Sequence, residues 1–211
     1  MAEREPGEQN SCETRQAILE AARSRFMHYG YKKTTIDEIA ADAGVGKGTV
    51  YLYFSGKEDI LLTIAADVKR NITEQMRAIA HSLASPDEKI RRMILSAILS
   101  VHDAASTTAH GVEIVDEMLR PKIMECGRDH KEAQFALLAR VLEEGVRQGI
   151  FSIPGDDYKQ TARMLVLGMV SFYPPYMDPC HGQASCRRDL EARANRMLDF
   201  LFHGLLRRER I

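Results

Sequence analysis

The sequence predicts an all-α protein of about nine helices. Apolar residues recur at three- and four-residue intervals along nearly all of its 211 residues, capping residues and glycines punctuate that period, and no segment alternates as a strand would. The first helix is marked by Ile18, Leu19, Ala22 and Phe26, with Gly30 where a left-handed C-terminal cap is needed. Thr35 and Glu38 then form a capping box for a two-turn helix that carries Ile36, Ile39, Ala40 and Ala43 and stops at Gly44. A third short helix, KGTVYLYF, sets Val50 and Phe54 on one face, and Ser55 with Glu58 reads as a second capping box opening a longer helix. That helix runs through Ile60, Ile64, Val68, Ile72, Met76 and Ile79. The next starts at Ser85-Pro86 with Glu88 at its third position and carries Ile90, Ile94, Ala97, Ile98 and Val101. Four more periodic segments lie near 110–119, 130–148, 157–172 and 186–207, parted by Pro121, a turn at 149–155 and the stretch PPYMDPCHGQAS.

Composition narrows the class. With 45% hydrophobic and 28% charged residues the chain is too apolar for disorder and too charged for a membrane bundle. Its longest uncharged apolar stretch, 164–177, is short and carries Pro174 and Pro175, so no spanning helix is expected. The N-terminus MAEREPGEQN is acidic and hydrophilic, which does not read as a secretory signal, and a cytoplasmic location is expected. Cys12, Cys126, Cys180 and Cys186 are then expected as reduced thiols.

Residues 34–59, TTIDEIAADAGVGKGTVYLYFSGKED, carry the functional signal. A capped short helix, a glycine-bearing turn and a second short helix are the parts of a helix-turn-helix, whose second helix lies in the major groove of DNA. Burying Val50 and Phe54 leaves Lys47 with Tyr51, and Thr49 with Tyr53, as flanking pairs, with Gly48 on the far side. Lysine and threonine can hydrogen-bond base edges or phosphate, tyrosine can reach phosphate, and glycine permits close approach. Lys57, in the first turn of the following helix, adds a cation where a phosphate could sit. Residues 1–60 hold eight basic against ten acidic side chains, yet 45–56 hold one lysine and no carboxylate, so each protomer is expected to neutralise few phosphates.

From 15 to about 62, and above all in TTIDEIAADAGVGKGTVYLYFSGKEDIL, the chain resembles the DNA-binding domain of the tetracycline-repressor (TetR/AcrR) family of bacterial transcriptional regulators. It departs from the commonest pattern in Gly46 and Gly56, where serine is frequent. The resemblance implies a homodimer on a near-palindromic operator, with a C-terminal helical domain that binds an effector and dimerises through its last two helices. It implies that Thr34 and Thr35 begin the second helix, that Lys47, Gly48 and Thr49 face bases, and that Tyr51, Tyr53 and Lys57 face the backbone. The expected division is a DNA-binding domain at 1–56 and a regulatory and dimerisation domain at 57–211, with repression relieved by a small hydrophobic or aromatic effector. No cofactor, resident metal or membrane partner is expected.

The C-terminal signal is thinner. Tyr158, Ala162, Leu165, Val166, Met169 and Phe172, and Leu190, Ala194, Met197, Leu198, Leu201 and Leu205, form two stripes that either pair across a two-fold axis or pack within one protomer. Met93, His102, Met118, Met124, Phe135, Met169 and Tyr173 are pocket candidates, although methionine at helical spacing also reads as core. Cys180, His181 and Cys186, with Cys126 or His130, offer soft ligands for a metal- or redox-responsive regulator, at spacings unlike standard zinc sites. A metal-dependent hydrolase reading rests on His102-Asp103 with His81, His110 and Asp116, against a plain ion pair. No nucleophile elbow, phosphate loop or metalloprotease signature is present, and no catalytic residue is assigned.

Overall fold

The structure is a computed structural model that describes residues 6–105, 119–173 and 184–205. Among them are nine α-helices: α1 (Pro6–Tyr29), α2 (Ile36–Asp42), α3 (Lys47–Tyr53), α4 (Lys57–Ala80), α5 (Pro86–Ala105), α6 (Arg120–Glu125), α7 (Arg128–Arg147), α8 (Tyr158–Gly168) and α9 (Ala184–Leu205). Short 3-10 turns occupy Pro154–Asp156 and Val170–Phe172, and no described helix is long and apolar enough to cross a membrane.

Most elements follow from the sequence, and the differences have local causes. α1 begins at Pro6, a residue tolerated in a first helical turn, because 6–13 is helical without being amphipathic. α6 was not expected, since Pro121 read as a break; it sits in the helix's first turn, where its missing N–H costs nothing. The segment expected at 110–119 lies almost wholly outside the described residues. The Ser55–Glu58 capping box does not form. Gly56 is the N-cap of α4, the Ser55 N–H and hydroxyl donate to Asp59 Oδ2 instead (2.9 and 3.2 Å), and Glu58 takes Lys122 of α6 at 2.5 Å.

Two cores form. Ile18, Leu19, Ala22 and Phe26 of α1 enclose Ile39 and Ala40 of α2, Val50 and Phe54 on and just after α3, and Ile60 and Leu61 of α4. Ile72 and Met76, farther along α4, belong to a second core with α5, α7, α8 and α9. The 56/57 division expected from sequence thus falls just before a helix that serves both cores. α6 is the other link: Leu119 is buried in the first core, Ile123 packs on it, and the Lys69 ammonium of α4 donates to the Ile123 carbonyl. In the second core Lys89 is nearly buried and pairs with Glu144 across α5 and α7 at 3.0 Å, while Arg91 bridges to Asn195 and Asp199 of α9.

The two C-terminal stripes behave as core. Ala162, Leu165, Met169, Leu190, Ala194 and Leu198 are buried inside their own protomer. What α8 and α9 leave exposed is a different apolar set, Met164, Leu167 and Phe200, with Val170 just beyond.

Candidate nucleic-acid interface

α2 is braced from three sides. The Thr35 N–H donates to Glu38 Oε2 at 2.8 Å while the Glu38 N–H donates to Thr35 Oγ1 at 3.3 Å, closing the expected capping box. Arg25 of α1 donates to both oxygens of Asp42 (2.6 and 2.9 Å) and lies 3.2 Å from Glu38. These bonds hold the Glu38 and Asp42 carboxyls below their ordinary range, Glu38 mainly through the Thr35 N–H and Asp42 mainly through Arg25. The chain then reverses at Gly44, whose φ of 67° lies in the left-handed region glycine favours. The Val45 N–H closes the turn onto the Ala40 carbonyl at 3.0 Å.

Val50 is fully buried and Phe54 nearly so, with the Arg15 guanidinium 5.2 Å from the Phe54 ring centroid. With that face inward, α3 shows Lys47, Gly48, Tyr51 and Leu52 to solvent. Leu52 is 83% exposed and was missed. It lies two residues from Val50, some 200° around the helix, so taking Val50 as buried already placed Leu52 on the outside. A Cβ built on Gly48 meets nothing within 4 Å, so the fold itself does not require glycine there.

The other expected positions divide. Thr35 is exposed but committed to its cap, Thr49 is half-buried, and Tyr53 is half-buried with its hydroxyl donating to Ser11 of α1 at 3.2 Å. Thr34 is buried, its hydroxyl on the Gly30 carbonyl at 2.9 Å. Lys57 points inward: its ammonium donates to the carbonyls of Tyr31 and Thr34 (2.7 and 2.8 Å), more weakly to that of Lys32, and rests 4.4 Å from the Tyr31 ring centroid. Three N–H bonds and three carbonyls leave this ammonium no donor for a phosphate, and burial lowers its pKa. As placed, Thr34 and Lys57 hold the α1–α2 loop from within, a correction to the surface roles expected of them.

Residues 18–64 match the family described as bacterial regulatory proteins, tetR family. Over 161 residues the chain is 29% identical to the fatty acid metabolism regulator protein of Bacillus subtilis, covering 72% of this chain and 77% of that one. Over 150 residues it is 25% identical to the transcriptional repressor KstR2 of Mycobacterium tuberculosis, covering 71% and 74%. Residues 18–64 thus carry the DNA-binding domain of the tetR family, and the rest of the chain resembles regulators of that family. The fold agrees over most of the chain: the crystal structure of FadR from Bacillus subtilis with stearoyl-CoA superposes with a TM-score of 0.66 at 24% identity, covering 90% of this chain and 98% of that one. The chain is a DNA-binding transcriptional regulator, as its relatives are.

Of the pocket candidates, Met93, Met169 and Tyr173 share the second core, and the others are placed apart from them or lie outside the described residues. Met93 and Met169 are fully buried core and Tyr173 packs against the same cluster, where burial pushes its hydroxyl far above its ordinary pKa. His102 is buried at the end of α5. Met124 is exposed on α6, and Phe135 is half-buried on α7 with the Lys131 ammonium and Arg163 guanidinium each 5.7 Å from its ring centroid; Met118 lies outside the described residues.

Cys180, His181, His110 and Asp116 lie outside the described residues, as does the Cys186 side chain. Cys126 is exposed, with its thiol on the Ile123 carbonyl at 3.2 Å. Among the described residues no group of three His, Cys, Asp or Glu could hold a metal. His102 contacts Asp103 at 3.3 Å, and Asp103 is bound by Arg187 of α9 at 2.9 Å, an arrangement that joins two helices.

Proposed function

We propose that the chain is a homodimeric repressor in which two copies of α3 read a near-palindromic operator and a small apolar effector releases it. The carrying observation is the outward face of α3, where Lys47, Gly48, Tyr51 and Leu52 stand free of the core while Val50 anchors the helix from behind. In this reading Lys47 and Gly48 meet base edges together with Thr49, and Leu52 adds apolar contact of the kind a thymine methyl accepts. Tyr51, Tyr53 and Thr35 meet the sugar-phosphate backbone, and Thr34 and Lys57 position the motif from below. We take 1–56 as the DNA-binding domain and 57–211 as the regulatory and dimerisation domain, with α4, which serves both cores, as the lever between them.

Dimerisation is supported by the exposed apolar residues of α8 and α9, Met164, Leu167 and Phe200. The two helices are close: a Cβ on Gly168 would come 3.2 Å from Leu201. For the effector, the named relatives support a long or polycyclic apolar body: one regulates fatty acid metabolism and was crystallised with stearoyl-CoA, and KstR2 is described as a ketosteroid regulator. An effector acts through its differential affinity for the DNA-competent arrangement.

Gel shifts on a duplex selected from a randomised pool test the DNA face. Tyr51→Ala and Lys47→Ala should each weaken binding while the protein sediments as before; full-strength binding by both would overturn the face. A thermal-shift screen of fatty acyl thioesters, steroids and aromatic acids tests the effector, since a ligand bound only by the native state raises the melting temperature.

A further inference from the structure

α3 carries one cation, Lys47, and its ammonium already has an acidic partner: Nζ donates to Asp37 Oδ2 of α2 at 2.9 Å. Both side chains are more than half exposed, 53% and 64%, so the pair adds little to stability. Its placement is informative. Lys47 opens α3, where the aligned peptide dipoles disfavour a cation, and the first turn of α3 holds no acid to offset them. Helix stability gives no reason for a lysine there, and the compensating charge arrives from across the turn. Asp37 is also not needed to cap its own helix. Thr35 and Glu38 close that box, and Arg25 engages Glu38 and Asp42.

We propose that Asp37 is a positioning and specificity residue: it holds the Lys47 ammonium at the front of α3 so that the lysine donates to base edges and is withheld from phosphate. The inference rests on α3 entering the major groove. An ammonium has three N–H donors; with one on Asp37, two are left for acceptors such as guanine O6 and N7. The paired charges sum to zero, so a phosphate gains little by approaching, whereas hydrogen-bond acceptors on a base still find donors. Sequence discrimination rises at the expense of non-specific affinity.

Fluorescence anisotropy of the full chain tests this, using wild type, Asp37→Asn, Lys47→Met and the double variant. Each is titrated over a salt series against the duplex that wild type selects from a randomised pool and against a shuffled duplex. Asp37→Asn is expected to tighten binding to the shuffled duplex and to steepen its log–log salt slope by about 0.9 per protomer, which over a fourfold change in salt is about 3.5-fold in affinity per protomer. Affinity for the selected duplex should change less, narrowing the ratio, and in the Lys47→Met background Asp37→Asn should no longer steepen the slope. An unchanged slope, or an equal change without Lys47, overturns the proposal. So does weaker binding to both duplexes, which would mark Asp37 as a structural support of α2. Should wild type select no duplex, the regulator reading itself fails, a result distinct from a selected duplex on which Asp37→Asn behaves as wild type.

Discussion

Lys57→Met separates two roles for the same cation. A lysine on a phosphate contributes to the salt dependence of DNA binding; a lysine holding backbone carbonyls contributes to folding. The structure shows two short bonds, 2.7 Å to Tyr31 and 2.8 Å to Thr34, and the ammonium set over the Tyr31 ring. Hydrogen bonds to a charged group contribute about 1.5–3 kcal/mol each at best. Methionine keeps much of the apolar stem, the burial that lowers the lysine's pKa already opposes its charge, and the two bonds are only part-buried, so the released carbonyls regain some water. The net loss is therefore about 1–2 kcal/mol, and with urea slopes of roughly 1–3 kcal/mol/M the midpoint should fall by about 0.5–1 M. Urea unfolding followed by circular dichroism measures this, and anisotropy over a salt series supplies the second arm. The expected outcome is lower stability with an unchanged salt slope. Retained stability together with a slope lower by about 0.9 per protomer would place Lys57 on a phosphate and refute the inward role.

Other perturbations probe other parts of the account. A Cβ at Gly145 would lie 2.2 and 2.5 Å from ring atoms of buried Phe151 and 3.1 Å from Pro86 Cβ. Gly145→Ala thus sets overpacking of about 1–3 kcal/mol against a helix-propensity gain of about 1 kcal/mol; it should lower the melting temperature, and less so when combined with Phe151→Leu. A higher melting temperature in both backgrounds would contradict that packing. Glu38 is held below its ordinary 4.5 and Asp42 below its ordinary 3.8. Their stabilisation is complete above those values and is lost as pH falls through the lower folded-state values, so the N-terminal unit should loosen below about pH 4. Thermal melts from pH 7 to pH 3 should show this, with a shallower acid limb in Glu38→Gln; identical limbs would argue against it. Phe200→Glu places a charge in the exposed apolar set of α8 and α9 and should convert the proposed dimer to monomer in sedimentation at micromolar concentration. An intact dimer would move the interface elsewhere.

Local rules account for what the sequence made legible. Capping at Thr35, the glycine at position 44 and the four-residue spacing of Val50 and Phe54 are short-range features, and each determined the geometry it implied. Where a residue's fate depended on its tertiary neighbour, local rules misled. Lys57 looked like a surface cation because its acceptors, the carbonyls of 31–34, lie more than twenty residues away. Ser55 chose Asp59 over Glu58 because Lys122, on a helix the sequence did not reveal, engages Glu58. The stripes of α8 and α9 were correctly apolar, yet periodicity does not say which of two apolar faces turns inward; the second core takes one and leaves Met164, Leu167 and Phe200 outside. The methionines are ambiguous as a pocket signal for a similar reason, since Met93 and Met169 fill space between helices as any core residue does.

Hydroxyl-radical footprinting on the selected duplex bears most directly on the central claim that α3 is presented outward and in duplicate. The account predicts two protected patches on one face of the DNA, centred about 34–36 Å apart, both fading together in Tyr51→Ala. Uniform protection along the duplex, or a footprint that Tyr51→Ala leaves intact, would contradict it.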